Sequence, residues 1–259
     1  MPKLIEFENV TVQRENTLAL RGISFSVDAG EHVAILGPNG SGKSTLIKVI
    51  TRECYPKQPG RVRIWGEERW GLFDLRALLG IVTNDLVDTC TRPNSALETV
   101  LSGFFGSIGI WPNHHVTAEM ERKAREALQF FDVDHLADHP LTELSSGEVR
   151  RIVFARALVH DPKALLLDEP SNSLDIRAQY EVHEAMRKLA QSGVSIVLVT
   201  HHLPDIIPEI GRVIALKNGA IFCDNAKNEV LNDLKMSELF DYEALIDHNQ
   251  SGIYCFRYR

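Results

Sequence analysis

"HVAILGPNGSGKSTLIKVI" (His32–Ile50) contains three segments of different character. "HVAIL" (His32–Leu36) is a nearly continuous apolar run, the pattern of a strand buried on both faces. "KSTLIKVI" has helical spacing. Between them, "GPNGSGKST" (Gly37–Thr45) fits G-x-x-x-x-G-K-[ST] in the strand–loop–helix setting that pattern requires. Glycines let the backbone curl so that its N–H groups face phosphate oxygens, and the helix start adds partial positive charge. Gly37, Pro38, Asn39, Gly40, Ser41, Gly42, Lys43, Ser44 and Thr45 are therefore the expected phosphate loop. Lys43 is placed to reach the β- and γ-phosphates, and Ser44 to ligate Mg²⁺. A glycine-rich turn that merely reverses the chain would account for the glycines but not for the Lys-Ser pair or the flanking elements.

Working outward, "LLLDEPSNSLD" (Leu165–Asp175) ends an apolar strand on two adjacent carboxylates, Asp168 and Glu169. Such a pair is costly beside a buried run unless a cation or a reaction uses it. In a parallel sheet ligands gather at the carboxyl ends of the strands. Asp168 is then expected to hold Mg²⁺, and Glu169 to polarise the water that attacks the γ-phosphate. A helix-capping Asp beside a chance Glu is the plainer alternative.

"IVT" (Ile81–Thr83), "ALLLD" (Ala164–Asp168) and "SIVLVT" (Ser195–Thr200) read as further buried strands. "LIEFENVTV" (Leu4–Val12) and "ISFSVD" (Ile23–Asp28) alternate like half-buried strands. Buried strands separated by helices predict an α/β fold with a mainly parallel sheet. Residues from about Ser95 to Val159 have helical spacing and few strand signals. One domain is expected: an α/β core over 1–84 and 160–224, a helical block over 85–159, and a tail over 225–259. Asn218-Gly219 predicts a hairpin turn, and the tail reads as short polar helices.

"LSSGEVRRIVFARAL" (Leu144–Leu158) resembles the LSGGQ signature of ABC-type ATPases and the helix after it. Val149, Ile152, Val153 and Val159 form the expected apolar stripe. "SNSLD" resembles that family's D-loop, with Asp175 as its acid. "VTHH" resembles its switch-histidine stretch, with His201 as the switch residue and His202 as second choice. The resemblance runs from about Leu4 to Asp224. It implies a P-loop NTPase core with an N-terminal antiparallel β-subdomain and an inserted helical signature subdomain. It also implies Mg²⁺-dependent ATP hydrolysis in a head-to-tail dimer. Ser145, Ser146, Gly147 and Glu148 of one subunit would cap ATP bound by the other, although an ordinary N-cap at Ser145 or Ser146 fits the same residues. His201 would contact the γ-phosphate and steady Glu169 and its water.

The chain departs from the family pattern in three places. Asn84 in "IVTND" stands where the Q-loop has Gln, one methylene shorter toward Mg²⁺. The signature has Ser146 and Glu148 for Gly and Gln. The aromatic that stacks on adenine is missing; Arg14 in "VTVQREN" offers either a stacking guanidinium or a solvated charge. In texture the chain looks closest to the molybdate/iron-uptake branch of ATP-binding proteins.

The implied partners are a second ATPase subunit, identical or homologous, and a membrane-spanning permease. The implied location is the cytoplasm, on the inner face of a membrane. The alternative is a soluble regulatory ABC ATPase without a channel. The stretch between phosphate loop and signature lacks sustained heptads, unlike chromosome-maintenance heads, and a single cassette is unlike the paired cassettes of translation factors. A net charge of −7 argues against nucleic acid as a partner. Cys54, Cys90, Cys223 and Cys255 make no CxxC pair, so neither zinc nor a disulfide framework is expected. No stretch approaches the ~20 apolar residues of a membrane span. "LSGFFGSIGIW" (Leu101–Trp111) is too glycine-rich for a simple core helix. Phe104, Phe105 and Trp111 either line the groove that receives a permease helix or pack inside the helical block.

Overall fold

The structure, a computed structural model, describes residues 2–14, 17–90, 93–249 and 252–257. The chain forms two compact units, Met1–Leu72 with Ser195–Arg259, and Phe73–Val194.

The first unit begins with the antiparallel pair β1 (Lys3–Arg14) and β2 (Thr17–Asp28); β1 is longer at both ends than the alternation indicates, and β2 is longer at its start. Leu4, Ile5, Phe7, Val10 and Val12 of β1 are buried, with a break in the alternation between Phe7 and Val10; Phe7 lies opposite Phe25 and their rings stack at 4.8 Å. Such a pair adds about 0.5–1.5 kcal/mol beyond burial. Next come β3 (Val33–Leu36), α1 (Lys43–Ile50) and β4 (Arg61–Ile64). β4 pairs antiparallel with β1, Ile5 opposite Ile64, giving a three-stranded sheet in the order β2-β1-β4.

The second unit holds all but the first residue of α2 (Leu72–Leu78), then β5 (Leu79–Val82), α3 (Asn84–Cys90), α4 (Ala96–Leu101), α5 (Ala118–Phe130), α6 (Ser146–Leu158), β6 (Ala164–Asp168) and α7 (Ile176–Gln191). β5 and β6 run parallel, with Val82 opposite Leu167. α6 is the hub of the helical packing and meets α4, α5 and α7. Gly147, Val149, Arg150, Ile152, Val153, Phe154 and Ala155 are all buried, so the helix is enclosed nearly all round and the expected stripe is too narrow. Gly80 explains how closely α6 approaches β5: a Cβ there would come within 2.7 Å of the Ala157 carbonyl.

The chain then returns to the first unit as β7 (Ser195–Thr200), β8 (Arg212–Lys217), β9 (Ala220–Ala226), α8 (Lys227–Val230), α9 (Asp233–Phe240), β10 (Leu245–His248) and β11 (Tyr254–Arg257). β7, β3 and β8 are parallel neighbours, with Leu36 opposite both Thr200 and Ala215. β8 and β9 form the hairpin expected at Asn218-Gly219, both of which take positive φ. The tail departs from the expected run of polar helices. After two short helices it closes as an antiparallel hairpin, β10–β11, with Phe240 and Phe256 edge to face.

Candidate active site

The phosphate loop leaves the carboxyl end of β3, whose four residues are all buried, and enters α1. Its tightness dictates its glycines. A Cβ on Gly37 would come within 2.4 Å of the Leu216 carbonyl, and one on Gly42 within 2.7 Å of the Ala19 carbonyl. Gly42 has φ +110° and is the N-cap of α1, so no side chain caps the N–H groups of the first turn. Lys43 is 6 % exposed, and its ammonium donates to the carbonyls of Gly37 at 2.7 Å and Pro38 at 3.1 Å. The Ser41 hydroxyl is buried without a hydrogen-bond partner. Uncapped helix N–H groups, a buried ammonium and an orphaned hydroxyl around one loop fit an anion. Ser44 is exposed at the first turn of α1, where a hydroxyl can meet a hard cation beside that anion.

His201 follows Thr200, the residue paired with Leu36, so loop and histidine emerge side by side from β3 and β7. Arg14 is the exposed last residue of β1, opposite Thr17. A few residues along β2, Ala19 and Leu20 abut Gly42, which puts this end of the hairpin against the loop.

In the second unit, Asp168 ends β6 behind three fully buried leucines, Leu165 to Leu167. Each of those leucines contributes roughly 1.5–3 kcal/mol of burial. Glu169 follows with φ +46°, a left-handed conformation that costs a non-glycine residue about 1–2 kcal/mol. This strain falls at the carboxyl end of a parallel strand, where ligands gather, which makes the turn a candidate for function. Asn84 lies two residues beyond Val82, as Glu169 does beyond its pairing partner Leu167, so both leave the same end of adjacent strands. The Asn84 amide oxygen accepts a hydrogen bond from buried Arg150 at 3.0 Å. Nothing in the sequence signals that contact, because the two residues meet only through the packing of α3 on α6.

The signature residues open α6 with a capping box. Glu148 N–H donates to the Ser145 hydroxyl, and the Glu148 carboxylate accepts from Ser145 N–H at 2.8 Å and from its hydroxyl at 2.7 Å. The Ser145 hydroxyl holds the Glu148 carboxyl below the usual range, with burial opposing. This contribution is present above the unfolded value of 4.5 and is lost as pH falls through the lower folded value. Glu148 thus serves the cap of its own helix. Ser145 and Ser146 are exposed, whereas Gly147 is buried and packs on α7: a Cβ there would meet that of Ala178 at 2.9 Å. Asp175 caps α7 by accepting from Ala178 N–H at 2.8 Å. The residues expected from sequence therefore fall into two groups. The loop, Arg14 and His201 lie in one unit; Asn84, the signature, Asp168, Glu169 and Asp175 lie in the other.

A phosphate loop closing a parallel sheet defines a P-loop nucleotide-binding protein. Residues 20–172 match the ABC transporter family. The Hemin import ATP-binding protein HmuV of Bradyrhizobium diazoefficiens is 30 % identical over 98 % of this chain and 94 % of its own length. Among solved structures, cbiO1 from Clostridium perfringens, part of the ABC transporter complex cbiONQ, is 28 % identical with a TM-score of 0.78, over 92 % of this chain and 94 % of its own. The ATP-binding cassette MJ0796, solved as a dimer in a post-hydrolysis state bound to ADP and Pi, is 28 % identical with a TM-score of 0.70, over 86 % of this chain and 98 % of its own. The chain belongs to the ABC transporter family and is one of its ATP-binding, ATP-hydrolysing proteins.

Arg14 lends itself to a direct test. A guanidinium stacked on adenine contributes about 0.5–2 kcal/mol, so Arg14→Ala is expected to weaken ATP binding roughly 2- to 30-fold. Arg14→Tyr should hold or improve it. Titration with a fluorescent ATP analogue checks both, and unchanged affinity in Arg14→Ala assigns the residue to solvent.

Proposed function

We infer that this chain drives transport through a membrane-spanning permease as one half of a head-to-tail ATPase dimer closed around two ATP molecules. The observation that carries this reading is the phosphate loop, with its buried ammonium and orphaned hydroxyl, in a chain of this family. The relatives support it: one takes part in import, one in a transporter complex, and one is a dimer with hydrolysis products. The working parts are an α/β core over 1–84 and 160–224, a signature block over 85–159 and a tail over 225–259.

In this mechanism loop N–H groups and Lys43 hold the β- and γ-phosphates. Ser44 and Asp168 would hold Mg²⁺, with Asn84 as a further candidate ligand. Bound Mg²⁺ supplies positive charge against the phosphate oxygens as the γ-phosphoryl group transfers. Glu169 orients a water and takes its proton as the water oxygen bonds to the γ-phosphorus and the bond to the bridging oxygen breaks, releasing ADP and phosphate. His201 fixes the γ-phosphate and Glu169 relative to one another. Ser145 and Ser146 of the second subunit close the site with the helix start behind them, and Asp175 lies along the same seam. Among the described residues no helix is long and apolar enough to cross a membrane. Attachment to the inner face of a membrane then comes from the permease.

The docking surface is the segment after α4. It leaves the helix as a 3-10 turn, Ser102–Phe105, and continues without regular structure to Thr117. Phe104 lies edge-on to His160, Phe105 stacks on His114 at 4.1 Å, and Trp111 is 55 % exposed. Half-exposed aromatics of this kind are frequent interface anchors. Trp111→Ala and Phe105→Ala are expected to keep near-native stability and basal ATPase but to lose co-purification with a permease. A stability loss of about 3–5 kcal/mol, as for a truncated core aromatic, would show instead that they are internal packing. Failure to recover any permease with the native chain favours the regulatory ATPase.

A further inference from the structure

The turn that carries His201 is held by a buried carboxylate. Thr200, fully buried at the end of β7, donates its hydroxyl proton to the Asp205 carboxylate at 2.7 Å. The same hydroxyl accepts from the His202 N–H at 2.9 Å, and the Asp205 N–H donates to the His202 carbonyl at 3.3 Å. His201 therefore lies inside a closed ring of hydrogen bonds that runs from Thr200 to Asp205. Asp205 is 1 % exposed. A carboxylate that deep costs several kcal/mol unless hydrogen bonds repay it, and an apolar residue would fill the space more cheaply. The chain beyond the ring is held as well. Lys227 donates to the carbonyls of Ile207 and Pro208, and β11 packs beside the 3-10 turn Leu203–Asp205.

We propose that Asp205 is a positioning residue for ATP hydrolysis, acting through the Thr200 hydroxyl to fix the backbone on both sides of His201. This rests on the role given to His201 above. A charge-assisted hydrogen bond is about twice as strong as a neutral one and is selective in direction. Here it locks the last residue of β7 to the turn and thereby fixes where His201 leaves the strand, beside the start of the phosphate loop. Displacing a catalytic group by ~1 Å costs on the order of 100-fold in rate, so a small loosening of this ring is felt in turnover.

The test measures kcat and KM for ATP in Thr200→Val, Thr200→Ser and Asp205→Ala, each with His201 and with His201→Ala. Thr200→Val removes the hydroxyl and keeps the packing shape. It is expected to lower kcat about 10- to 100-fold with KM for ATP changed less than about 2-fold. Thr200→Ser keeps the hydroxyl and should stay within about 2-fold of the native rate. Asp205→Ala should match Thr200→Val; if it does not fold, Asp205→Asn, which keeps the volume and one acceptor, should show a smaller loss in the same direction. In the His201→Ala background each of these substitutions should cost less than about 2-fold more, because residues that act as a unit are not additive. A merely structural role would lower rate and stability by the same factor with or without His201, and that result overturns the proposal. A slow His201→Ala beside a native-rate Thr200→Val overturns the proposal alone. A native-rate His201→Ala overturns the role of His201 and the proposal with it.

Discussion

Glu169→Gln is expected to bind ATP with near-native affinity and to lose about 10²–10⁴ in turnover, the usual weight of a positioned general base. The substitution changes one atom, keeps the shape of the side chain and leaves the left-handed turn after β6 undisturbed. The lost quantity is the ability to take a proton from water. Because the γ-phosphate then persists, two chains should stay closed over two ATP molecules. Size-exclusion chromatography with light scattering should show a monomer without nucleotide and twice that mass with ATP and Mg²⁺. A variant that hydrolyses at the native rate removes Glu169 from the mechanism, and one that stays monomeric at saturating ATP argues against the head-to-tail dimer.

Lys43→Ala is expected to fail at the earlier step. Hydrogen bonds from a charged donor contribute about 1.5–3 kcal/mol, so ATP affinity should fall roughly 10- to 150-fold. The structure adds a second cost. The ammonium also binds the carbonyls of Gly37 and Pro38 from within the loop, so its removal loosens the cradle as well as its charge. Lys43→Arg should not substitute for it, since a planar guanidinium does not reproduce the compact ammonium that donates to the Gly37 and Pro38 carbonyls. Calorimetric titration with ATP checks affinity, and a melting curve separates a loosened loop from an unfolded chain. In the Glu169→Gln background Lys43→Ala should abolish the ATP-dependent dimer. If the dimer persists, the loop is not what holds the phosphates.

These effects were foreseeable from contiguous residues because the chemistry of a phosphate loop demands particular residue types at consecutive positions. Strand, loop and helix also follow one another without interruption from His32 to Ile50. Elements whose pattern depends on distant partners were harder to read. "RVRI" of β4 is short and alternates with arginines, and it becomes a strand because β1 pairs with it. "LIDH" and "YCFR" lie among polar residues and become a hairpin by packing on α9 and on the turn after β7. The candidate site divides in the same way. Lys43, Asp168 and Glu169 belong to local motifs. Asp205 belongs to no such motif, although an acid shortly after a strand-ending threonine in "VTHHLPD" is a readable cue for a side chain that closes a turn. Arg150 on Asn84 gave no such cue.

Gly147 marks the point where α6 meets α7. Its bare Cα lets α6 lie directly on Ala178 of α7, and nothing larger than hydrogen fits between them. The N-caps of these two helices, Ser145 and Asp175, are the points at which this reading has a second subunit touch the chain. Gly147 and Ala178 lie two and three residues behind those caps, so two contacts that look separate along the chain share one packing point and stand on it as the two prongs of one fork.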